Sequence, residues 1–224
     1  MPETLHERFA ALLPELLSAL GQTLVMLGIG LLAAVMLGGP LGVLLYQAGR
    51  NPSGRLRLLA RLLGWAVNTL RSFPFIVLLV ALVPFTRLLT GTSIGPLAAA
   101  VPLAIAAIPY FSRLVEQTLA EVPQGVIEAA QAMGASPLQI VLRVLLVEAR
   151  SGLVLALTVL AISFLSYSAV AGVVGGGGIG DLAIRYGYYR FETDIMILTV
   201  AVLVVLVQSI QFTGARLARR LDKR

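Results

Sequence analysis

Two stretches have spacings that enzymes use. Gly91-Thr92-Ser93-Ile94-Gly95 satisfies the G-x-S-x-G pattern of a hydrolase nucleophile, and Gly175-Gly176-Gly177-Gly178-Ile179-Gly180 can be aligned to G-x-G-x-x-G. The first pattern needs a strand–turn–helix setting and a histidine base. The only histidine is His6, in the N-terminal tail. The second needs a βαβ unit to place a dinucleotide pyrophosphate, and none surrounds it. Both read as chance matches, one a loop between apolar segments and the other a flexible re-entry turn. No cysteine occurs, which removes disulfides, thiolate chemistry and cysteine metal sites. No His/Cys cluster offers metal ligands, and no carboxylate pair is set for catalysis. An intramembrane protease therefore fails on the absent base.

Chemistry of another kind is offered by residues 116–150, the most polar interval of an oily chain. Pro123 can open a short helix, because a first-turn proline loses no hydrogen bond the helix needed. Glu128-Ala129-Ala130 sit on that helix, and Gly134 can close it in a left-handed cap. Ser136-Pro137 restarts a second helix, with serine as N-cap and proline in the first turn. The arrangement predicts a compact two-helix platform with a small-residue patch, suited to a soluble partner. A plain solvated helix–turn–helix loop is the simpler alternative.

The elements that hold this platform are set by composition. The chain of 224 residues is 58% hydrophobic and 12% charged, with a mean hydropathy of +0.92. Soluble domains are far less apolar. Several uncharged runs reach the roughly 20 residues that cross a bilayer core, so the chain is an integral membrane protein. Without a ten-residue alternating pattern, the spans are helices and not barrel strands. Five are expected: within Leu16–Gly49, about Leu62–Thr86, Leu97–Ser112, most of Ser151–Val174, and Ile195–Ala215. The run Gly38-Gly39-Pro40-Leu41-Gly42 holds a small-xxx-small pair that permits close helix approach. Pro74 should kink the second span, Arg87 to Pro96 reads as a short loop, and Tyr186, Tyr188, Tyr189 and Phe191 form an interfacial aromatic stretch.

Arg71, in Asn68-Thr69-Leu70-Arg71-Ser72-Phe73-Pro74-Phe75, has two placements. It lies at membrane depth facing a bundle interior or water, or residues 56–70 form an interfacial helix that leaves it at the headgroups. Charge sets the orientation. Of the 17 basic residues, those from Arg50 to Arg61, Arg113, Arg143, Arg150 and those from Arg216 to Arg224 fall on one side. Only Arg8, Arg87, Arg185 and Arg190 fall on the other. The positive side is cytoplasmic, which puts the N-terminus outside, the C-terminus inside and the platform in the cytoplasm. The net charge of +6 then reflects topology and anionic lipid, with no nucleic acid needed. All 11 acidic residues are expected in loops or chain ends, whereas ion-coupled carriers commonly hold carboxylates at membrane depth. No paired halves of an inverted repeat are visible. A secondary transporter or channel is thus the weaker alternative.

Glu128-Ala129-Ala130, three residues, Gly134, nine residues, then Val144-Leu145-Leu146 resembles the EAA loop of ABC-importer permease subunits. Val144 stands where that pattern has isoleucine, and Val147 where it has proline. Further segments are similar to the permeases of bacterial methionine importers, the binding-protein-dependent inner-membrane components. These are Arg71-Ser72-Phe73-Pro74-Phe75-Ile76, Pro84-Phe85-Thr86-Arg87, Gly91-Thr92-Ser93-Ile94-Gly95, Tyr167-Ser168-Ala169, the glycine-rich turn and Tyr186-Gly187-Tyr188. The similarity covers nearly the whole chain beyond its first fifteen residues. It implies an all-α type I importer permease, a single transmembrane domain over residues 1–224 with 116–150 as its cytoplasmic coupling segment, in the bacterial inner membrane.

The resemblance also implies a homodimer bound to two cytoplasmic ATPase subunits and fed by an external methionine-binding lipoprotein. The substrate would be methionine, in L- and D-forms, or else another small organic solute. This chain has no G-x-x-x-x-G-K-[ST] phosphate loop, so it is expected to be a non-catalytic subunit without cofactor, ATP and Mg being bound by the partner. Coupling residues would be Glu128, Ala129, Ala130, Met133, Gly134 and Ser136. The translocation pathway is expected at Phe73, Ser163, Ser166 and Tyr167, with Arg71 as a structural or gating charge. Hydroxyls at Ser163, Ser166 and Ser168 could equally act as interhelical glue.

Overall fold

The computed structural model describes residues 5–50 and 54–222, with side chains from 12 to 50 and from 57 to 222. The expectations for Glu3, His6, Glu7 and Arg8, for residues 51–53 and Arg55, and for Lys223 and Arg224 concern side chains outside that description. Every regular element among the described residues is helical, as lipid demands of a chain whose backbone groups must be satisfied internally.

Helix α1 (Leu5–Ala33) runs through a π-helical turn (Ala34–Gly38) into α2 (Gly39–Arg50). Pro40 brings no amide N–H to the ladder, and the widened turn before it absorbs the mismatch. Helix α3 (Gly54–Ser72) ends before Pro74, α4 (Phe75–Ala81) follows, and α5 (Val83–Thr90) precedes the turn to α6 (Pro96–Ala120). The polar interval holds α7 (Gln124–Ala132), α8 (Pro137–Gln139), a π-helical segment (Ile140–Leu145) and α9 (Leu146–Glu148). Helix α10 (Arg150–Ala171) leads through Gly172–Gly176 to α11 (Gly178–Leu182), the π-helical Ala183–Tyr189 and α12 (Thr193–Leu221).

Among the described residues, four helical stretches are long and apolar enough to cross a membrane: Leu12–Arg50, Pro96–Ala120, Arg150–Gly176 and Thr193–Leu221. A fifth is reached if the bent pair Arg57–Ser72 and Phe75–Ala81 is one span. Three boundaries differ from expectation. The second span is broken, not kinked: a residue before proline is pushed out of the helical region, and Pro74, at φ −56° and ψ 131°, caps a new helix. Arg87 belongs to α5, and the turn is confined to residues 91–95 after the left-handed cap at Gly91. The third span continues through Pro102 and Pro109 to Ala120, so Glu116 lies on a helix and not in a loop. Glu15 and Glu148 are helical as well. Charge marks where a span leaves lipid, but a helix continues beyond that point wherever its residues can form one.

The chain divides into two compact units. One comprises residues 5–30, Pro74–Ala104 and Ser163–Gln208. Here the glycine-rich turn doubles the chain back, and α11 begins against α1: Gln22 Oε1 accepts from Gly178 N at 2.8 Å and Thr23 Oγ1 from Ile179 N at 3.0 Å. Those side chains satisfy amides at a helix start that has no partners of its own. Glu15 accepts from Arg185 at 3.1 Å and from the Tyr186 hydroxyl at 2.7 Å. That bond to a carboxylate raises the Tyr186 phenol above its ordinary range.

The other unit comprises residues 31–50 and 54–73, Ile105–Ile162 and 209–222. One close seam in it bears out the small-xxx-small expectation. A Cβ at Gly38 would stand 2.6 Å from the Ile108 carbonyl oxygen, and one at Gly42 would stand 2.5 Å from that of Ser112. Only hydrogen at both positions lets the end of the π-helical turn and α2 meet α6 backbone to backbone.

Candidate functional site: a capped platform and an aromatic cluster

The platform is built from two stop-and-start signals in immediate succession. Pro123, extended at ψ 131°, caps α7 at its start. At the far end Gly134 N donates to Gln131 O at 2.9 Å and Ala135 N to Ala130 O at 3.0 Å. With Gly134 left-handed at φ +81°, this is a Schellman stop. The next residue but one starts a helix: Ser136 Oγ accepts from Gln139 N at 3.4 Å, and Gln139 Oε1 accepts from Ser136 N at 2.8 Å. That capping box satisfies two amides reciprocally. The amides of Met133, Gly134, Ala135, Ser136 and Gln139 are all answered within the corner.

The platform is also tied to α2. Arg50 donates to the Tyr46 hydroxyl at 2.9 Å and to Gln124 Oε1, joining the end of α2 to the first residue of α7. Ile127, Ala130, Ile140, Val141 and Leu145 are buried beneath.

What the platform presents differs in part from the small-residue patch read in the sequence. Glu128, Ala129, Gly134 and Ser136 are exposed. Ala130 is 5% exposed and turns inward, because it shares with Ile127 the face of α7 that packs on its own chain. Met133, at 82%, and Leu138, at 67%, protrude. Leu138 was not expected, although an apolar residue just inside a capped, otherwise solvated helix is a signal of docking. The outer surface is thus two large apolar knobs flanking small residues, with the Glu128 carboxylate beside them.

The residues expected along the pathway fall in both units. Tyr167, on α10, stacks on Phe75 with ring centroids 4.8 Å apart and planes 6° from parallel, and meets Phe164 edge-on at 5.1 Å. Ser163 lies four residues before Tyr167 and shares its side of the helix, whereas the adjacent Ser166 is turned about 100° away; Ser163 is half-buried and Ser166 exposed. Ser168 is buried and donates to Leu165 O at 2.7 Å, which makes it a local back-bond. In the other unit, Arg71 sits in the last turn of α3, its guanidinium 5.2 Å over the Tyr110 ring, where a helix C-terminus favours a cation. Phe73, half-exposed, lies at the break. Of the two aromatics flanking Pro74, Phe75 is the one that joins Tyr167.

Neither enzyme pattern finds its setting. Gly91–Gly95 joins two helices, with Thr92 Oγ1 accepting from Ile94 N at 3.1 Å. Gly175–Gly180 joins a helical segment to α11. No strand precedes either, and no group of three or more His, Asp or Glu could hold a metal, among the described residues.

The family model of the binding-protein-dependent transport system inner membrane component matches residues 38–224. The chain belongs to this family. It is 49% identical over 99% of its length, and 98% of the relative's, to a probable D-methionine transport system permease protein of Vibrio cholerae. It is 41% identical over 91% of its length, and 94% of the relative's, to the like-named protein of Pasteurella multocida. Among solved structures, a chain of the inward-facing MetNI methionine ABC transporter matches with a TM-score of 0.88 and 44% identity, over 93% of this chain and 96% of that one. A chain of an amino acid ABC transporter, at 21% identity and a TM-score of 0.74, shares the fold. The family is one of multi-pass inner-membrane transport components.

Proposed function

We propose that this chain forms the membrane path of an ATP-driven importer of methionine, in L- and D-forms, and couples it to a cytoplasmic ATPase. The observation that carries the reading is the self-capped corner at Gly134–Ser136, a rigid platform with exposed apolar knobs on a chain with no phosphate loop of its own. Near-full-length similarity to methionine permeases supports the substrate. In this reading two copies of the chain pair, two ATPase subunits bind ATP and Mg on the cytoplasmic side, and an external lipoprotein delivers the solute. The N-terminus is outside and the C-terminus inside, as the bias of basic residues supports. Residues 1–224 act as one transmembrane domain, with 116–150 as the coupling segment.

Met133 and Leu138 enter clefts of the ATPase, each contributing about 1.5–3 kcal/mol if fully buried, while Ala129 and Gly134 allow close approach and Glu128 pairs at the rim. Closure of the ATPases draws the platforms together and shifts the spans from inward-open to outward-open. Ser163, Ser166 and Tyr167 of one unit line the path, with Phe75 and Phe164 beside Tyr167. A thioether gains about 0.3–1.5 kcal/mol against an aromatic ring. Phe73 is a further pathway residue in this reading, and Arg71 a structural or gating charge.

The test is ATP-dependent uptake of labelled L- and D-methionine by vesicles holding this chain, its co-purifying ATPase and external binding protein. Uptake of methionine with saturation supports the reading. ATPase association without methionine uptake leaves an importer of another small organic solute, and absence of any bound ATPase overturns the coupling assignment.

A further inference from the structure

Two cavities of the second unit meet at one side chain. The larger, about 670 Å³, is a groove lined by Val43 and Leu44 of α2, Phe111 of α6, Leu142 of the π-helical segment and Leu157 of α10, among others. Its only polar lining side chain is Gln47. The smaller, about 340 Å³, is lined by Tyr46, Gln47, Arg50, Gln131 and Pro137. Both fall in the size range of small-ligand sites, about 300–1,000 Å³. Gly39 and Pro40 keep the groove open on the α2 side, and a Cβ at Gly39 would only just reach Phe111, at 3.9 Å.

Arg50 is the cation of the smaller cavity. Its partners are the Tyr46 hydroxyl and the Gln124 side-chain oxygen, both neutral, and its charge lies 5.3 Å from the Tyr46 ring centre. No carboxylate pairs with it among the described residues. A guanidinium has five N–H donors, so an exposed, unneutralised charge with donors to spare stands beside the mouth of an apolar groove. The occupant must be apolar over most of its length and anionic at one end.

We propose that the two cavities form one site for an anionic phospholipid, with an acyl chain in the groove and the headgroup phosphate at Arg50. A phosphate takes the forked hydrogen bonds of a guanidinium, and Gln47 marks the boundary between chain and headgroup. The inference needs only that the chain is embedded in a bilayer, and is independent of the transported solute. Since Arg50 also holds Gln124 at the start of α7, lipid bound there contacts the root of the platform, and membrane charge acts on coupling through that arginine.

The experiment is native mass spectrometry of the full purified chain with phosphatidylglycerol or phosphatidylcholine of matched acyl chains. Both headgroups carry a phosphate, but the choline cation of phosphatidylcholine opposes the guanidinium charge, so wild type should retain phosphatidylglycerol roughly tenfold better. Arg50→Gln should abolish the preference, and Val43→Trp, which fills the groove, should reduce retention of both lipids. Because the chain has no cysteine, Leu142→Cys carries a single fluorophore for a second readout in nanodiscs, where brominated phosphatidylglycerol should quench it more than brominated phosphatidylcholine. Equal retention of the two lipids by wild type, or a preference unchanged in Arg50→Gln, overturns the proposal. So does efficient bis-maleimide cross-linking of two copies through Leu142→Cys, which would make the groove an interface between copies.

Discussion

Replacing Gly134 separates two ways in which the platform could matter. At φ +81° an L-residue with a Cβ is strained, but nothing lies within 4 Å of the place a Cβ would occupy. Gly134→Ala therefore meets no clash within the chain, and its whole cost is the left-handed conformation, about 1–2 kcal/mol. Asparagine tolerates that conformation far better than alanine, although its side chain is larger. If the shape of the corner is what the ATPase reads, Gly134→Ala should weaken ATPase binding about 5- to 30-fold and Gly134→Asn should stay close to wild type. If bulk at the interface matters instead, Asn should be the more damaging. The assay is titration of purified ATPase onto nanodiscs bearing each variant, with methionine transported per ATP hydrolysed as the second readout and membrane insertion as the control. Equal affinity of wild type and Gly134→Ala would refute the argument from the Schellman stop.

Other perturbations address the neighbouring parts. Ser136→Ala removes the N-cap oxygen and should cost about 1 kcal/mol at the α8 start, seen as faster proteolysis of the corner in the ATPase-free chain. Leu138→Asp places a charge on an exposed knob: the isolated chain should insert and melt as wild type does, while ATPase co-purification is lost. Gly42→Leu puts a side chain where a Cβ already stands 2.5 Å from the Ser112 carbonyl, so the α2–α6 seam must open. Thermal unfolding in detergent should show a large loss, with little loss for Gly28→Ala, where the added Cβ meets nothing within 4 Å. Tyr167→Phe keeps both ring contacts, whereas Tyr167→Ala loses pairs worth about 0.5–1.5 kcal/mol each. Methionine uptake should survive the first change and fall in the second.

The helical class, the apolar runs, the polar interval and both of its caps were legible in the sequence, because each depends on local composition or on one residue's backbone preference. Pro123, Gly134 and Ser136 act within three or four residues of themselves, and the structure shows the helix start, stop and restart at those places. Span ends were less legible. Arg87 and Glu116 are charged yet helical, since a charge tells where solvent begins and a helix is free to run past it.

The sequence by itself determined a membrane chain of long helices and a self-capped corner; these follow from hydropathy and from backbone rules of short range. Only the tertiary structure decided which faces are available. Ala129 and Ala130 are adjacent and identical in type, yet one is exposed and the other buried, because a helix turns by about 100° per residue and packing selects the phase. In the same way Phe73 and Phe75 flank one proline and look alike as letters. The break at Pro74 sends only Phe75 onto Tyr167, and no periodicity spans a broken helix to announce it.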